Sequence, residues 1–216
     1  MNSTPAGSVP NARSWEFAED YAVVPETVSR ARDEAILKGI TPISPGVASL
    51  LTVLAATTRA KFVVEVGTEM GASALAFFQG MSQDGVLTSI DSEPEHQHPA
   101  REMLTQAGYT SSRFRLIAGN PLDVLPKLNV GAYDIAFING NKLEYVEYVA
   151  SAERLLRPGG LLVVHDVLWH DEVADPDNEG DEAIIIREAL EAITNSDAYT
   201  QSLLPVGNGL LLAVKH

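Results

Sequence analysis

The sequence contains no cysteine. That absence rules out a disulfide framework, a thiolate metal site and a cysteine nucleophile, and it suits a reducing, cytoplasmic setting. Positive charge is also scarce, with 15 lysines and arginines against 29 aspartates and glutamates and a formal net charge of −14. Phosphate backbones are bound through Lys and Arg that displace condensed counterions, so nucleic acid is not an expected partner. No apolar run reaches the ~18 residues a membrane-spanning helix needs. The opening MNSTPAGSVPNAR lacks the apolar stretch of a signal peptide, so no membrane partner is expected.

What is there is a 216-residue chain, 45% hydrophobic and 20% charged, the balance of an ordinary globular protein with one core. Residues 1–13, rich in Ser, Pro, Gly and Asn, read as a flexible tail, and residues 14–216 as a single domain. Helical patterning over 15–40 is interrupted near Pro25, and Ser44-Pro45 then leads into an apolar helix over 46–57. Short apolar runs at 62–66, 86–90, 114–117, 133–138 and 161–164 read as strands. Between them lie helical stretches at 71–79, 95–107, 122–128 and 144–156. Such alternation implies a parallel sheet covered by helices. After a helix at 182–194, runs at 199–204 and 210–214 flank Pro205-Val206-Gly207-Asn208-Gly209, a connection short enough for an antiparallel hairpin at the sheet edge.

In an open parallel sheet, ligands bind beyond the carboxyl ends of the strands near the switch point, so the turn after 62–66 is the first place to look. It reads Glu65-Val66-Gly67-Thr68-Glu69-Met70-Gly71-Ala72-Ser73. Gly67 permits a sharp turn and close ligand approach, Gly71 opens the next helix, and Ser73 offers a hydroxyl in its first turn. The spacing is Gly-x-x-x-Gly rather than the Gly-x-Gly-x-x-Gly of dinucleotide sites, and Glu69 would repel a pyrophosphate, which weighs against a nicotinamide dehydrogenase. A plain strand-to-helix turn is the bland alternative. Asp91, at the end of the next strand, stands where an acidic residue accepts hydrogen bonds from ribose hydroxyls.

From about Ser44 onward the order resembles the class I S-adenosylmethionine-dependent methyltransferases, and specifically the small O-methyltransferases related to catechol and caffeoyl-CoA methyltransferases. The resemblance is carried by VVEVGTEMGAS, SID at 89–91, FINGNKLEY at 137–145, LLRPGGLLVVHDVLW at 155–169, and PVGNGLLLAVK. It implies a Rossmann-like α/β fold, a doubly wound, mostly parallel seven-stranded sheet with an antiparallel C-terminal hairpin. It implies a bound S-adenosylmethionine, with Glu65, Gly67, Thr68 and Ser73 around its methionine part, Asp91 on the ribose, Asn120 near the adenine, and Asn139 and Gly140 lining the same pocket. The implied reaction is methyl transfer to a hydroxyl of a small, aromatic acceptor, and the implied assembly is a homodimer.

The resemblance also implies a divalent cation held by two aspartates and an asparagine at the ends of the fourth and fifth strands. Here the matching positions are Asn139, His165 and Asp166. One carboxylate in place of two weakens the attraction for Mg²⁺, whereas imidazole suits Mn, Fe or Zn. The alternative is that His165 and Asp166 hydrogen-bond across the strand ends, with His165 replacing the cation or serving as a base. Lys142 keeps the family's position for a general base, if desolvation or nearby cations lower its pKa. Otherwise it is an exposed lysine at a helix start. Trp169 is either an apolar wall for a flat acceptor or ordinary packing. His96, His98 and the acidic stretch 170–181 read as solvated surface. A non-catalytic protein that binds S-adenosylmethionine or its demethylated product is the rival reading.

Overall fold

The structure, a computed structural model, describes residues 12–216. Most of the expected tail therefore lies outside the described residues, while Ala12 and Arg13 already belong to the first helix. Three helices, α1 (Ala12–Asp20), α2 (Glu26–Leu37) and α3 (Pro45–Thr58), precede the first strand. The start of α3 follows from its sequence: the Ser44 hydroxyl accepts from the Val47 amide at 3.1 Å, and Pro45 occupies the first turn, where its missing N–H costs nothing.

Strands β1 (Phe62–Val66), β2 (Val86–Asp91), β3 (Phe114–Ala118), β4 (Tyr133–Ile138) and β5 (Leu156–His165) alternate with α4 (Ala72–Gly80), α5 (Pro94–Gln106), α6 (Pro121–Val124) and α7 (Tyr145–Leu155). After α8 (Asp181–Thr194), β6 (Tyr199–Leu204) and β7 (Leu210–Lys215) complete one seven-stranded sheet of order β3-β2-β1-β4-β5-β7-β6. All pairs from β3 to β5 are parallel, and β7 runs antiparallel to both β5 and β6. The reversed direction therefore belongs to β7 alone, one place in from the edge, and the edge strand β6 runs with the rest.

Two expected boundaries shift. The helix expected over 122–128 is a single α-turn that gives way to a 3₁₀ turn at Leu125–Lys127, because Pro126 has no N–H to continue the ladder. Strand β5 begins at Leu156, well before its apolar run, with Leu156 opposite Tyr133 and an irregularity before Ile135 pairs with Leu161. The Pro158-Gly159-Gly160 stretch hid that extension, since glycine and proline read as a turn.

Both sheet faces are buried, and the two-residue strand period sorts the core. Val63, Ile135, Phe137, Leu161 and Val163 pack on one side against α2, α3, α4 and Leu104 of α5. Val64, Val66, Ala136, Ile138, Leu162 and Val164 pack on the other against α7 and α8. Chain order reverses at β1 and β4, so the segments following these two strands diverge and leave a crevice at their carboxyl ends. No described helix is long and apolar enough to cross a membrane.

Candidate active site

The turn after β1 is shaped by Gly67. Its φ of 96° lies in the left-handed region, and a Cβ there would sit 2.3 Å from the Asn139 carbonyl oxygen. The Gly67 amide donates to the Ile90 carbonyl at 2.8 Å and the Asn139 amide to the Val66 carbonyl at 2.8 Å, so the ends of β1, β2 and β4 are tied together at this point. Only a residue without a side chain allows that approach.

Asp91 then fixes the turn. Its Oδ2 accepts from the Thr68 amide at 2.9 Å and the Glu69 amide at 3.0 Å, and its Oδ1 from the Glu93 amide at 2.8 Å. His96 Nδ1 stands 2.9 Å from the same Oδ2. His96 is therefore part of the crevice, against the expectation of a surface residue: it stands in the first turn of α5, whose N-cap Glu93 is itself held by Asp91. His98 is exposed, as expected.

These residues enclose a cleft of about 210 Å³ lined by Gly67, Glu69, Asp91, His96, Gly140 and Tyr148. Glu65, Thr68 and Ser73 lie beneath the turn. The Ser73 hydroxyl donates to Glu65 Oε2 at 2.9 Å, and Glu65 Oε1 is buried with no hydrogen-bond partner. Burial, partly offset by Ser89 and Ser73, pushes the Glu65 carboxyl up to about 7. Thr68 Oγ1 and Ser89 Oγ share a 2.6 Å hydrogen bond. Asn120 is not brought to the cleft: its exposed side chain accepts from the Leu122 amide at 2.8 Å to cap α6, and Pro121 lines the cleft instead.

A larger cavity of about 750 Å³ adjoins this cleft, with Ile40, Glu69, Asn139 and Gly140 lining both. Its wall carries two short polar chains. The Asn139 amide donates to Glu69 Oε1 at 2.9 Å, and Asn139 Oδ1 stands 2.8 Å from His165 Nδ1, which must carry the proton for that bond to form. Burial, reinforced by Lys142, lowers His165 to about 4, so its ring is neutral. Asp166 accepts from the Asn208 amide through Oδ1 and pairs through Oδ2 with Lys142 Nζ at 3.2 Å. That ammonium lies 5.0 Å from the Tyr145 ring centre and 5.5 Å from that of Trp169.

The comparisons with known proteins give the family. The profile of the O-methyltransferase family matches residues 19–216. An inferred O-methyltransferase of Mycobacterium sp. (strain JLS) is 40% identical over 213 residues, covering 98% of this chain and 97% of the relative. The chain belongs to the O-methyltransferase family. A Corynebacterium glutamicum crystal structure superposes with a TM-score of 0.87 at 30% identity, covering 95% of this chain and 97% of that one. The O-methyltransferase TomG from Streptomyces achromogenes, involved in tomaymycin synthesis and solved with S-adenosylmethionine, superposes at 0.85 with 26% identity, covering 96% and 99%.

As a family member this O-methyltransferase depends on S-adenosylmethionine, and its cleft fits that cofactor on two counts. Gly67 lines the cleft with bare backbone, held there by its close approach to the Asn139 carbonyl, and Glu65 Oε1 is a buried acceptor without a partner beneath the turn. The family's divalent cation fares differently. The three residues expected to bind it are adjacent, but Asn139 Oδ1 is engaged by His165, both Asp166 oxygens are taken, and an ammonium already neutralises the one carboxylate. Among the described residues no three His, Asp or Glu side chains converge to hold an ion. With its side chains engaged in this way, the donor set at Asn139, His165 and Asp166 does not fit a divalent cation. Lys142, the expected base, is paired with Asp166. Burial alone would lower the Lys142 ammonium, but Tyr145 and Asp166 outweigh it and hold its pKa above the ordinary lysine range.

Besides His96, the residues Glu69, Asn208, Trp15 and Glu19 of the methyltransferase site were not singled out as site residues from sequence. Glu69 lines both cavities, yet in sequence it registered only as an argument against pyrophosphate. Burial pushes its carboxyl up to about 8, opposed by Lys142 and the Asn139 hydrogen bond. Asn208, which holds Asp166, looked like a hairpin-turn residue. Trp15 and Glu19 sit on α1 and line the larger cavity. Glu19 Oε2 accepts from Ser44 Oγ at 2.6 Å and the Gly46 amide at 3.0 Å, and its Oε1 from the Gly207 amide at 2.7 Å. A helical glutamate near the start of a chain carries no sequence signal for such a role.

Proposed function

We propose that this enzyme transfers the methyl group of S-adenosylmethionine to a hydroxyl oxygen of a small aromatic acceptor held in the larger cavity. The observation that carries this reading is the adjacency of the two spaces, which share Glu69, Asn139 and Gly140 as a common wall. A cofactor in the cleft and an acceptor in the cavity would meet across that wall, and methyl transfer gains chiefly from such alignment. When bound, the cofactor supplies a sulfonium-activated methyl group. Gly67 admits it, Asp91 and His96 present polar atoms along its cleft, and Glu65 with Ser73 supports the turn from below. Trp169 and Trp15, both lining the cavity, supply flat apolar surface for a ring. No step is routed through a divalent cation.

The same reading has the enzyme working in the cytoplasm as a homodimer. Support for pairing comes from α1 to α3 and the loop after α1, where Phe17, Tyr21, Val23, Ile36, Leu37 and Val53 are exposed, an apolar surface that a monomer would leave in water. The functional test is incubation of purified protein with methyl-labelled S-adenosylmethionine and a panel of phenols and catechols, read by mass spectrometry of the organic products. An O-methylated product supports the reading. Cofactor binding without transfer to any hydroxyl acceptor would instead establish a non-catalytic binder.

A further inference from the structure

The polar chains that disqualify a metal leave one fixed positive charge in the acceptor cavity. Lys142 is the sole lysine or arginine among its lining residues, and its ammonium is mostly buried. Three contacts fix its place: Asp166 Oδ2 at 3.2 Å and the ring faces of Tyr145 and Trp169. The Tyr145 hydroxyl donates to the His165 carbonyl at 2.9 Å, which locks that ring in turn. Asp166 is oriented by Asn208 from the β6–β7 connection, so the lysine's counter-ion is itself held in place. An ammonium has three N–H donors, and one carboxylate oxygen uses one of them.

We propose that the Lys142 ammonium, clamped by Asp166, Tyr145 and Trp169, replaces the divalent cation of related sites as the fixed charge against which the acceptor oxygen ionises. The inference rests on the methyl-transfer reading above and assigns that site its means of stabilising charge. The step balances without further reagents. The acceptor O–H releases its proton to water at the cavity mouth, and an oxygen lone pair forms the new C–O bond. The C–S bond breaks with its electron pair going to sulfur, so the sulfonium becomes a neutral thioether and the acceptor a methyl ether. Preorganised positive charge facing a developing oxyanion is worth most where water is excluded and the charge need not move. A lysine serving as base must be free to lose its proton, whereas this ammonium is paired with a carboxylate and set over two aromatic rings.

The two roles separate by substitution, because Arg is always charged and cannot serve as a base. Chelator-treated wild type, Lys142→Arg and Lys142→Met would be saturated with S-adenosylhomocysteine and mixed with para-nitrophenol, whose anion absorbs visible light. The expected result is an apparent pKa for the bound phenol at least about one unit below its free value in wild type and Lys142→Arg. Neither chelator nor added Mg²⁺ should change it, and Lys142→Met should abolish it. Turnover should follow, with Lys142→Arg within about tenfold of wild type and Lys142→Met down by about a hundredfold or more. Should Lys142→Met misfold with Asp166 left unpaired, Lys142→Gln keeps a donor to that carboxylate and must also lose the shift. The proposal is overturned if either neutral variant keeps the phenol shift, if the shift appears only with Mg²⁺, or if Lys142→Arg is as inactive as Lys142→Met. Calorimetry of S-adenosylhomocysteine on the same samples tells the two failures apart. Wild type that binds no S-adenosylhomocysteine breaks the methyl-transfer reading itself, while binding without a phenol shift breaks only this inference.

Discussion

The two halves of the site line one continuous space but are built by different means. The cofactor cleft is a backbone structure: Gly67 in the left-handed region, amide-to-carbonyl ties among β1, β2 and β4, and one carboxylate, Asp91, collecting the Thr68, Glu69 and Glu93 amides. The acceptor cavity is a side-chain structure, in which Glu69, Asn139 and His165 form one chain and Asn208, Asp166 and Lys142 another. Backbone geometry tolerates almost no change of residue type at its few critical positions. A side-chain network can exchange one charge for another and keep its shape.

The comparison breaks most readily at Gly67. Replacing it with Ala forces a Cβ to within 2.3 Å of the Asn139 carbonyl at a φ of 96°. The expected cost is about 3 kcal/mol, from left-handed strain plus displaced backbone. Carried into the binding equilibrium, that is about a hundredfold loss of S-adenosylmethionine affinity by calorimetry. Asp91→Ala comes next. It strips acceptors from three backbone amides and should lower stability by about 2 kcal/mol in urea unfolding, with cofactor affinity falling about tenfold. A smaller effect, confined to the acceptor half, is expected from Glu19→Ala. None of the described α1 residues is buried, and the Glu19 hydrogen bonds to Ser44, Gly46 and Gly207 tie the helix to the cavity wall. That variant should cost about 1 kcal/mol, raise the acceptor KM, leave cofactor affinity unchanged and hasten limited proteolysis near α1.

The smallest expected effect is a pH dependence. Glu65 and Glu69 are raised to about 7 and about 8, so the folded state holds their protons where the unfolded chain has released them. Stability from these two groups is present below the unfolded carboxyl range and is lost as pH rises through 7 to 8. His165, lowered to about 4, acts in the opposite sense: its contribution is present above the unfolded histidine value and is lost as pH falls toward 4. With two groups against one, thermal stability should fall from mildly acidic pH to pH 8. Glu69→Gln should flatten the upper part of that fall, as measured by Tm across the range.

The same contrast explains what was legible in the sequence. The strand-helix alternation, the Gly67 turn and Asp91 could be read because glycine at a strand end and an acid at the next strand end have few other uses. The pairing of β7 between β5 and β6 was not fully readable, since a short hairpin does not say which of its strands meets the sheet. Asn120 was misplaced because its spacing is equally that of a helix cap, the role it fills. His96 lay on a helix start with no pattern to distinguish it from solvent-facing residues. The motif at 137–145 located Asn139 and Lys142, yet spacing cannot show that the carboxylate at the end of the next strand will pair with the lysine. Glu69 and Asn208 complete the network from two turns, where polar residues are the rule.

The central proposal is a cofactor site complete in its own residues, beside an acceptor cavity that works without a divalent cation. Its most direct test is isothermal titration calorimetry of S-adenosylmethionine into chelator-treated protein, repeated with Mg²⁺ and with Mn²⁺. The account predicts micromolar binding of one equivalent, with the same affinity and heat in all three conditions. Binding that requires either cation, or no binding in any condition, would contradict it.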